Sequence, residues 1–514
     1  SGEVACMLRQ SRLHGQQLTG DLRATFADND IRIQHMALLG KGFQLNARGS
    51  VQNKLNVTAR ISDLSRLVPK TTGKMTAEGF LLWHNGRPGG VISAKTSGLT
   101  AGGLAIAQAE LTAAMADQEK SPLSMNATFH KLRYRGFAAD TLTVQANGTT
   151  SRHTLTAAAR RNRYEMHLVL SGAYLQGIWQ GKVLRLDGMD SVGPWNLIQQ
   201  ACLSITSNSL SLDPLRFAGR GPETLELSAK LTGKPLTGSL ALTWNELNPS
   251  RAGAWMNQER VTGKSSGNIR LNLLPRNQIA LTGKLSLSGT LLSQGQSITI
   301  RQSELTLKGD EQGARAGLNM SLVQGGTLQG TFASSSPARL ALPDEGALSL
   351  RWQGFDLASF SAWAPGRAIL KGQMAGEARG RLLPNGRFSL TGHTALNPSR
   401  MTWQGQKGDV SIDLQGASLD WIWQEEALTG EITATMTDYG KLQGRFRLPF
   451  AARLPVAVNT GGSLQASLTG KLLEKGALGV LFPGLIRESR GNLDLDLKMS
   501  GSWAQPQMFG TVHL

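Results

Sequence analysis

Cysteine is nearly absent: Cys6 and Cys202 are the only two in 514 residues. Two thiols make no disulfide framework. Their spacing leaves open whether they pair in an oxidising compartment or whether Cys202, in Gln200-Ala201-Cys202-Leu203, stays a buried free thiol. So little cysteine fits the bacterial periplasm as well as the cytosol. Aromatic residues are scarce too, at 6%, which argues against many thick cores. No apolar run reaches the ~18 residues a membrane helix needs. No Pro/Ser-rich linker divides the chain. No signal peptide is visible, the opening Ser1-Gly2 reads as a cloning remnant, and the chain stops at Leu514 within a strand pattern. The expectation is a fragment whose targeting lies elsewhere.

Chemistry-bearing clusters are also missing. The eight histidines, at 14, 35, 84, 130, 153, 167, 393 and 513, lie far apart with no H-x-x-x-H pair, and no C-x-x-C occurs. No metal or cofactor is expected. Gly263-Lys264-Ser265-Ser266-Gly267 fits the G-x-S-x-G elbow, but a strand follows it where the elbow needs a helix. As a phosphate loop it fails because Gln258 stands where the first glycine belongs. Asp494 and Asp496, beside Lys498, read as solubilising charges rather than a catalytic pair. No enzyme is expected.

Glycine and charge are plentiful. The 60 glycines follow no three-residue period, which excludes collagen. Lys and Arg number 54 against 36 Asp and Glu, a net +18 that favours an anionic partner such as nucleic acid, an acidic membrane or lipid phosphate. The basic residues are scattered, with small clusters such as Arg160-Arg161-Asn162-Arg163, and no stacking motif accompanies them. Nucleic acid is therefore not expected as a partner.

Period-two alternation dominates. In Gly491-Asn492-Leu493-Asp494-Leu495-Asp496-Leu497-Lys498-Met499 every second residue is apolar, the mark of a sheet with one greasy and one wet face. The same pattern places Leu168 and Leu170, Leu240 and Leu242, and Ile269, Leu271 and Leu273 on apolar faces. It does so again for Leu285 and Leu287, Ile298 and Ile300, Met320, and Leu493, Leu495 and Leu497. Asn85-Gly86 and Asn147-Gly148 read as hairpin turns. Helix-like interruptions recur near residues 63, 195, 248, 356 and 472, too unevenly for a propeller or leucine-rich solenoid. The apolar stripe needs a cover, either a second sheet in a sandwich array or an apolar ligand held in a curled trough. Composition leaves both open.

The recurring phrase of cap, Gly-led strand and Gly/Pro turn carries a resemblance. Leu478-Gly479-Val480-Leu481-Phe482-Pro483, Gly491-x-Leu493-x-Leu495 and Gly501-Ser502-Trp503-x-x-Pro506-x-x-x-Gly510-x-Val512-x-Leu514 resemble the TamB family, which is AsmA-like. So do Gly193-Pro194-Trp195, Cys202-Leu203, and the Leu247 interruption leading to Gly267-x-Ile269-x-Leu271. The resemblance implies an all-β, elongated repeating β-groove, a taco-like curled antiparallel sheet with short capping helices. The expectation is one continuous module over residues 1–514. It further implies a periplasmic location, with the full-length protein anchored in the inner membrane by a segment not seen here. The implied role is conduction of glycerophospholipid between inner and outer membranes, the apolar positions above lining the groove. The outer-membrane barrel protein TamA is the implied protein partner, through regions that this chain need not include. The competing reading is a scaffold for outer-membrane protein and autotransporter assembly that offers sheet edges to nascent strands. An adhesin of separate β-sandwiches is the third.

Overall fold

Alternation of the kind just described leaves each strand a hydrogen-bonding edge on both sides, and the chain satisfies those edges with its own next strand. A computed structural model describes all residues except 14–15, 28–29, 85–86, 116–121, 252–260, 294–295, 342, 359–367, 406–407, 455, 457–458, 460, 476–489, 503–504 and 514. The described residues form 34 strands and, besides them, only short helical turns. No helix among them is long and apolar enough to cross a membrane. The chain divides into two units, Ser1–Thr262 and Gly263–Leu514.

In the first unit the strands pair antiparallel in order of sequence. Gly2–Leu13 pairs with Gln16–Ala27, that with Asp30–Gly40, and so on to Tyr164–Leu175 with Ile178–Met189. One lane is shared: Pro194–Gln199 and Ala201–Ile205 both pair with Ile178–Met189 on one side and with Ser209–Ala218 on the other. The second unit follows the scheme from Ile279–Ser293 to Pro506–His513 except that Gly346–Asp356 pairs with Gln373–Leu383, past Ala368–Lys371, which pairs with Ser399–Gly405. The long strand Gly408–Gln424 is shared, pairing with both Arg387–Leu396 and Ser399–Gly405. The expected all-β fold is present.

The interruptions are smaller than expected. Near residue 63, Asp63 caps a single turn, Leu64–Arg66, by accepting the Ser65 N–H at 3.1 Å. Near 195 there is no helix: Pro194 takes the first position of a strand, where a proline is tolerated, and Trp195 and Leu197 alternate with exposed neighbours along it. Near 248, the Asn248 side chain accepts from Ser250 N at 3.0 Å to begin a turn. Near 356, Asp356 accepts from Ala358 N at 2.9 Å in the same way. Residues 252–260 and 359–367, which follow these two turns, lie outside the described residues. Leu472 belongs to the strand Gln465–Lys475, and the run 478–486 lies outside the described residues, as does Asn85-Gly86. Asn147-Gly148 is not a turn. It continues the strand Phe137–Thr149, with Gly148 opposite His153, and the chain reverses at Thr150-Ser151. Gly148 has a φ of 134° and no room for a Cβ against Arg152 O, so glycine is required there by close approach.

Candidate functional site

Residues directly opposite on paired strands share a face of the sheet, so the register traces what the alternation builds. In the first unit Cys6, Leu22, Met36, Ala47 and Val57 stand opposite one another in turn. The file passes Gly79 and continues through Ile92, Ala113, Met125, Ala146 and Leu155. It ends on Leu170, Val183 and Ala201. No polar side chain interrupts it. A parallel file carries Leu45, Ala59, Ala77, Ala94 and Leu111, then Ala127, Val144, Ala157, Leu168 and Leu186. In the second unit Leu285, Leu305, Leu318, Gly330, Leu350 and Ala378 face one another in turn. Gly392, Trp421, Gly430, Phe446, Ala466 and Met499 follow.

The opposite face is polar. Arg351, Glu377, His393, Asp420, Glu431 and Arg445 form one such file. It is laced by Arg351–Glu377 at 3.3 Å, His393–Asp420 at 2.7 Å and Arg445–Glu431 at 3.0 Å. These pairs are exposed and each is worth at most about 1 kcal/mol. Their effect is to keep this face in water.

The apolar face lacks a full cover. Among the described residues no large side chain falls below 2% exposure, whereas the middle of an ordinary core is sealed. Ile92, in the first file, is 38% exposed, and Ile298, in the second unit, 41%. Sealed clusters are small: Val183, Ala201 and Leu215 in the first unit, Phe388, Leu390 and Ala452 in the second.

Every residue nominated from the sequence lies on an alternating strand, and all but the exposed Ile298 are half-buried or buried. Leu168 and Leu170 pack against the Val183 cluster. Leu240 and Leu242 face Ala229 and Leu227. Ile269, Leu271 and Leu273 alternate with exposed Asn268, Arg270 and Asn272, and a Cβ added at Gly283 would meet Ile269 Cγ1 at 3.5 Å. Leu285 faces Leu305, and Leu287 faces Ser303, itself opposite Met320. Ile298 faces Leu291, and Ile300 faces Leu322. Leu493, Leu495 and Leu497 face Leu472, Gly470 and Leu468. Sequence reasoning missed the alanines and glycines that link these leucines, since a small residue in an alternating run gives a weak signal.

It also missed a buried ion cluster with no signature in the sequence. Arg251 Nη1 donates to Asp190 Oδ1 and Oδ2, both at 2.8 Å, and to Gly193 O at 3.0 Å, and Nη2 donates to Glu223. Glu223 also accepts from Asn248 N at 2.9 Å and Arg220 N at 3.2 Å. Burial pushes the Glu223 carboxyl up, but the Arg251 and backbone hydrogen bonds outweigh it and hold the group below its ordinary 4.5. Beside the cluster, Trp195, Phe217, Leu225 and Leu247 line a cavity of about 310 Å³. With its carboxylates held by Arg251 and backbone N–H groups, the cluster clasps the strand ends around residues 190, 223 and 248.

The chain thus presents an apolar face, free of polar side chains along the first unit's files and broken by Ser303 in the second, backed by a wetted polar one. A family model described as TamB, N-terminal domain, matches residues 7–339 and 335–514. No curated protein matches the chain.

Proposed function

The chain belongs to the TamB family, and on that premise we propose that it conducts glycerophospholipid along its apolar face, between the inner and outer membranes. The observation that carries this reading is the polar-free cross-strand file from Cys6 to Ala201, on a face left half open. Each acyl CH₂ sheltered from water is worth about 0.8 kcal/mol, so an acyl chain leaving a bilayer meets a barrier that such a face removes. Conduction then needs many similar, weak sites and no covalent step. The chain works in the periplasm, with membranes as its source and destination.

The test is photo-crosslinking at the half-buried Leu271 and Leu495 of the purified chain, followed by lipid extraction and native mass spectrometry. Phospholipid crosslinked at both positions is expected. A lipid-free chain with no crosslinks, which instead captures unfolded barrel strands along its edges, would replace conduction by the scaffold reading.

A further inference from the structure

Lipid on an apolar face must place its phosphate somewhere, and the first unit offers a place at one margin. Strands Leu123–Tyr134 and Phe137–Thr149 meet at Arg135-Gly136, both with positive φ as a two-residue hairpin needs. Strands Arg152–Arg161 and Tyr164–Leu175 meet at Asn162-Arg163. The two connections belong to adjacent hairpins, and Asn162 N donates to Asp140 Oδ2 at 2.7 Å, tying one to the other.

Six basic residues crowd this margin: Lys131, Arg133, Arg135, Arg160, Arg161 and Arg163. Of the nearby acids, Asp140 is taken by Asn162 N, and Glu165 lies 3.8 Å from Arg160. Arg133, Arg135 and Arg163 are exposed and have no ion pair among the described residues. Two of them are held in place: Arg135 Cζ lies 5.5 Å from the Tyr134 ring centre and Arg163 Cζ 5.7 Å from that of Tyr164. Tyr164 is buried and shares its strand face with Met166, Leu168 and Leu170. The Arg163 guanidinium therefore sits at the lip of the apolar face.

We propose that this margin binds the phosphate group of a glycerophospholipid whose acyl chains lie on the apolar face beside it. The proposal rests on the conduction reading and adds the point at which the head group is held. A guanidinium gives phosphate paired, charge-assisted hydrogen bonds, and stacking on a ring limits the freedom lost on binding. Tyr164 is buried and carries Arg163, and Arg135 lies over one face of Tyr134, so little ring surface is left for a nucleic-acid base, which favours lipid over nucleic acid.

The test compares the chain with its R133Q/R135Q/R163Q variant, using two monomeric probes, dihexanoyl phosphatidylglycerol and phosphate-free dihexanoylglycerol. The variant is expected to bind the phospholipid about tenfold or more weakly, to bind dihexanoylglycerol unchanged, and to lose the salt dependence of the wild type. Millimolar inorganic phosphate is expected not to displace the lipid; displacement would make free phosphate the ligand and overturn the assignment. Equal phospholipid binding by both proteins overturns the margin alone. Loss of binding only to phosphatidylglycerol vesicles, with monomer binding intact, overturns it in favour of membrane docking. A wild type that takes up neither probe overturns the conduction reading, and this proposal with it.

Discussion

Trp421 stands across the sheet from Gly392, and its indole covers the place where a Cβ at residue 392 would sit. The relationship recurs between Trp352 and Gly376 and between Trp195 and Gly188. A ring laid flat over a bare backbone buries its own area without a second sheet above it. On a half-open face this is how large side chains are accommodated while the floor stays shallow.

Replacing Gly392 by Ala is expected to lift Trp421 from the backbone and break its Nε1–H bond to Thr394 Oγ1, now 3.2 Å. Overpacking of this kind costs about 1–3 kcal/mol. Urea unfolding followed by tryptophan emission measures it: a lower midpoint and a red-shifted native spectrum are expected. An unchanged midpoint and spectrum would show that the ring does not depend on the glycine.

The Arg251 cluster yields a sharper stability difference. Arg251→Met leaves Asp190, with 2% of its side chain exposed, and Glu223, with 8%, without their cation. Removing one partner of a buried pair costs about 3–5 kcal/mol, whereas neutralising all partners together is far milder. The triple variant Asp190→Asn, Glu223→Gln, Arg251→Met is therefore expected to regain most of the loss. A neutral single variant would rule out the clasp.

Acid tests the same carboxylate. Glu223 is held below its ordinary 4.5 in the folded chain, so its contribution is fully present above about pH 5 and drains away as pH falls through the lower folded value. The stability gap between wild type and Glu223→Gln is expected to be constant near neutrality and to narrow below about pH 4.5. A gap that widens in acid would reverse the sign of the argument.

Alternation was legible because it follows directly from the pleat: Leu493, Leu495 and Leu497 could be assigned to one face from spacing alone. The breaks in alternation were not. Between Val169 and Leu170 the register slips, so Leu170 faces Val183 and Leu184 is passed over, leaving it 38% exposed. A bulge depends on two strands at once, and one strand's pattern does not reveal it. The interruption at Pro194 failed as a helix for a related reason. Its pairing partners, Ile178–Met189 and Ser209–Ala218, are tertiary, and they outweigh local propensity. The Arg251 cluster joins residues 61 positions apart, beyond any local signal.

The thiols provide a prediction from faces. Cys6 stands opposite Leu22 on the apolar face, while Cys202 stands opposite Lys182 on the other, in a strand far along the sheet. Both are exposed and free. A disulfide needs Cα atoms within about 7 Å, so no bond forms between them within one chain. Thiol titration without denaturant is expected to find both reactive, with monomer mobility unchanged by reductant. A fast, reductant-sensitive monomer band would contradict the register.

Arginine placed on the apolar face separates lining from packing. Leu285 and Leu495 are half-buried on that face, so an arginine there can turn its charged head toward the open side while its stem stays on the sheet. Leu285→Arg and Leu495→Arg are expected to keep the far-UV circular dichroism of the wild type, at a cost in stability of about 1–3 kcal/mol. A charge on the path of an acyl chain must be desolvated or displaced as the chain passes, so crosslinked lipid at Leu271 should fall in these variants. Leu493 is 4% exposed, and there the same substitution buries the charge. Leu493→Arg is expected to unfold its surroundings, which makes it the contrast. Stable Leu285→Arg and Leu495→Arg chains that still carry lipid as the wild type does would remove these positions from the lining and leave them a structural role only.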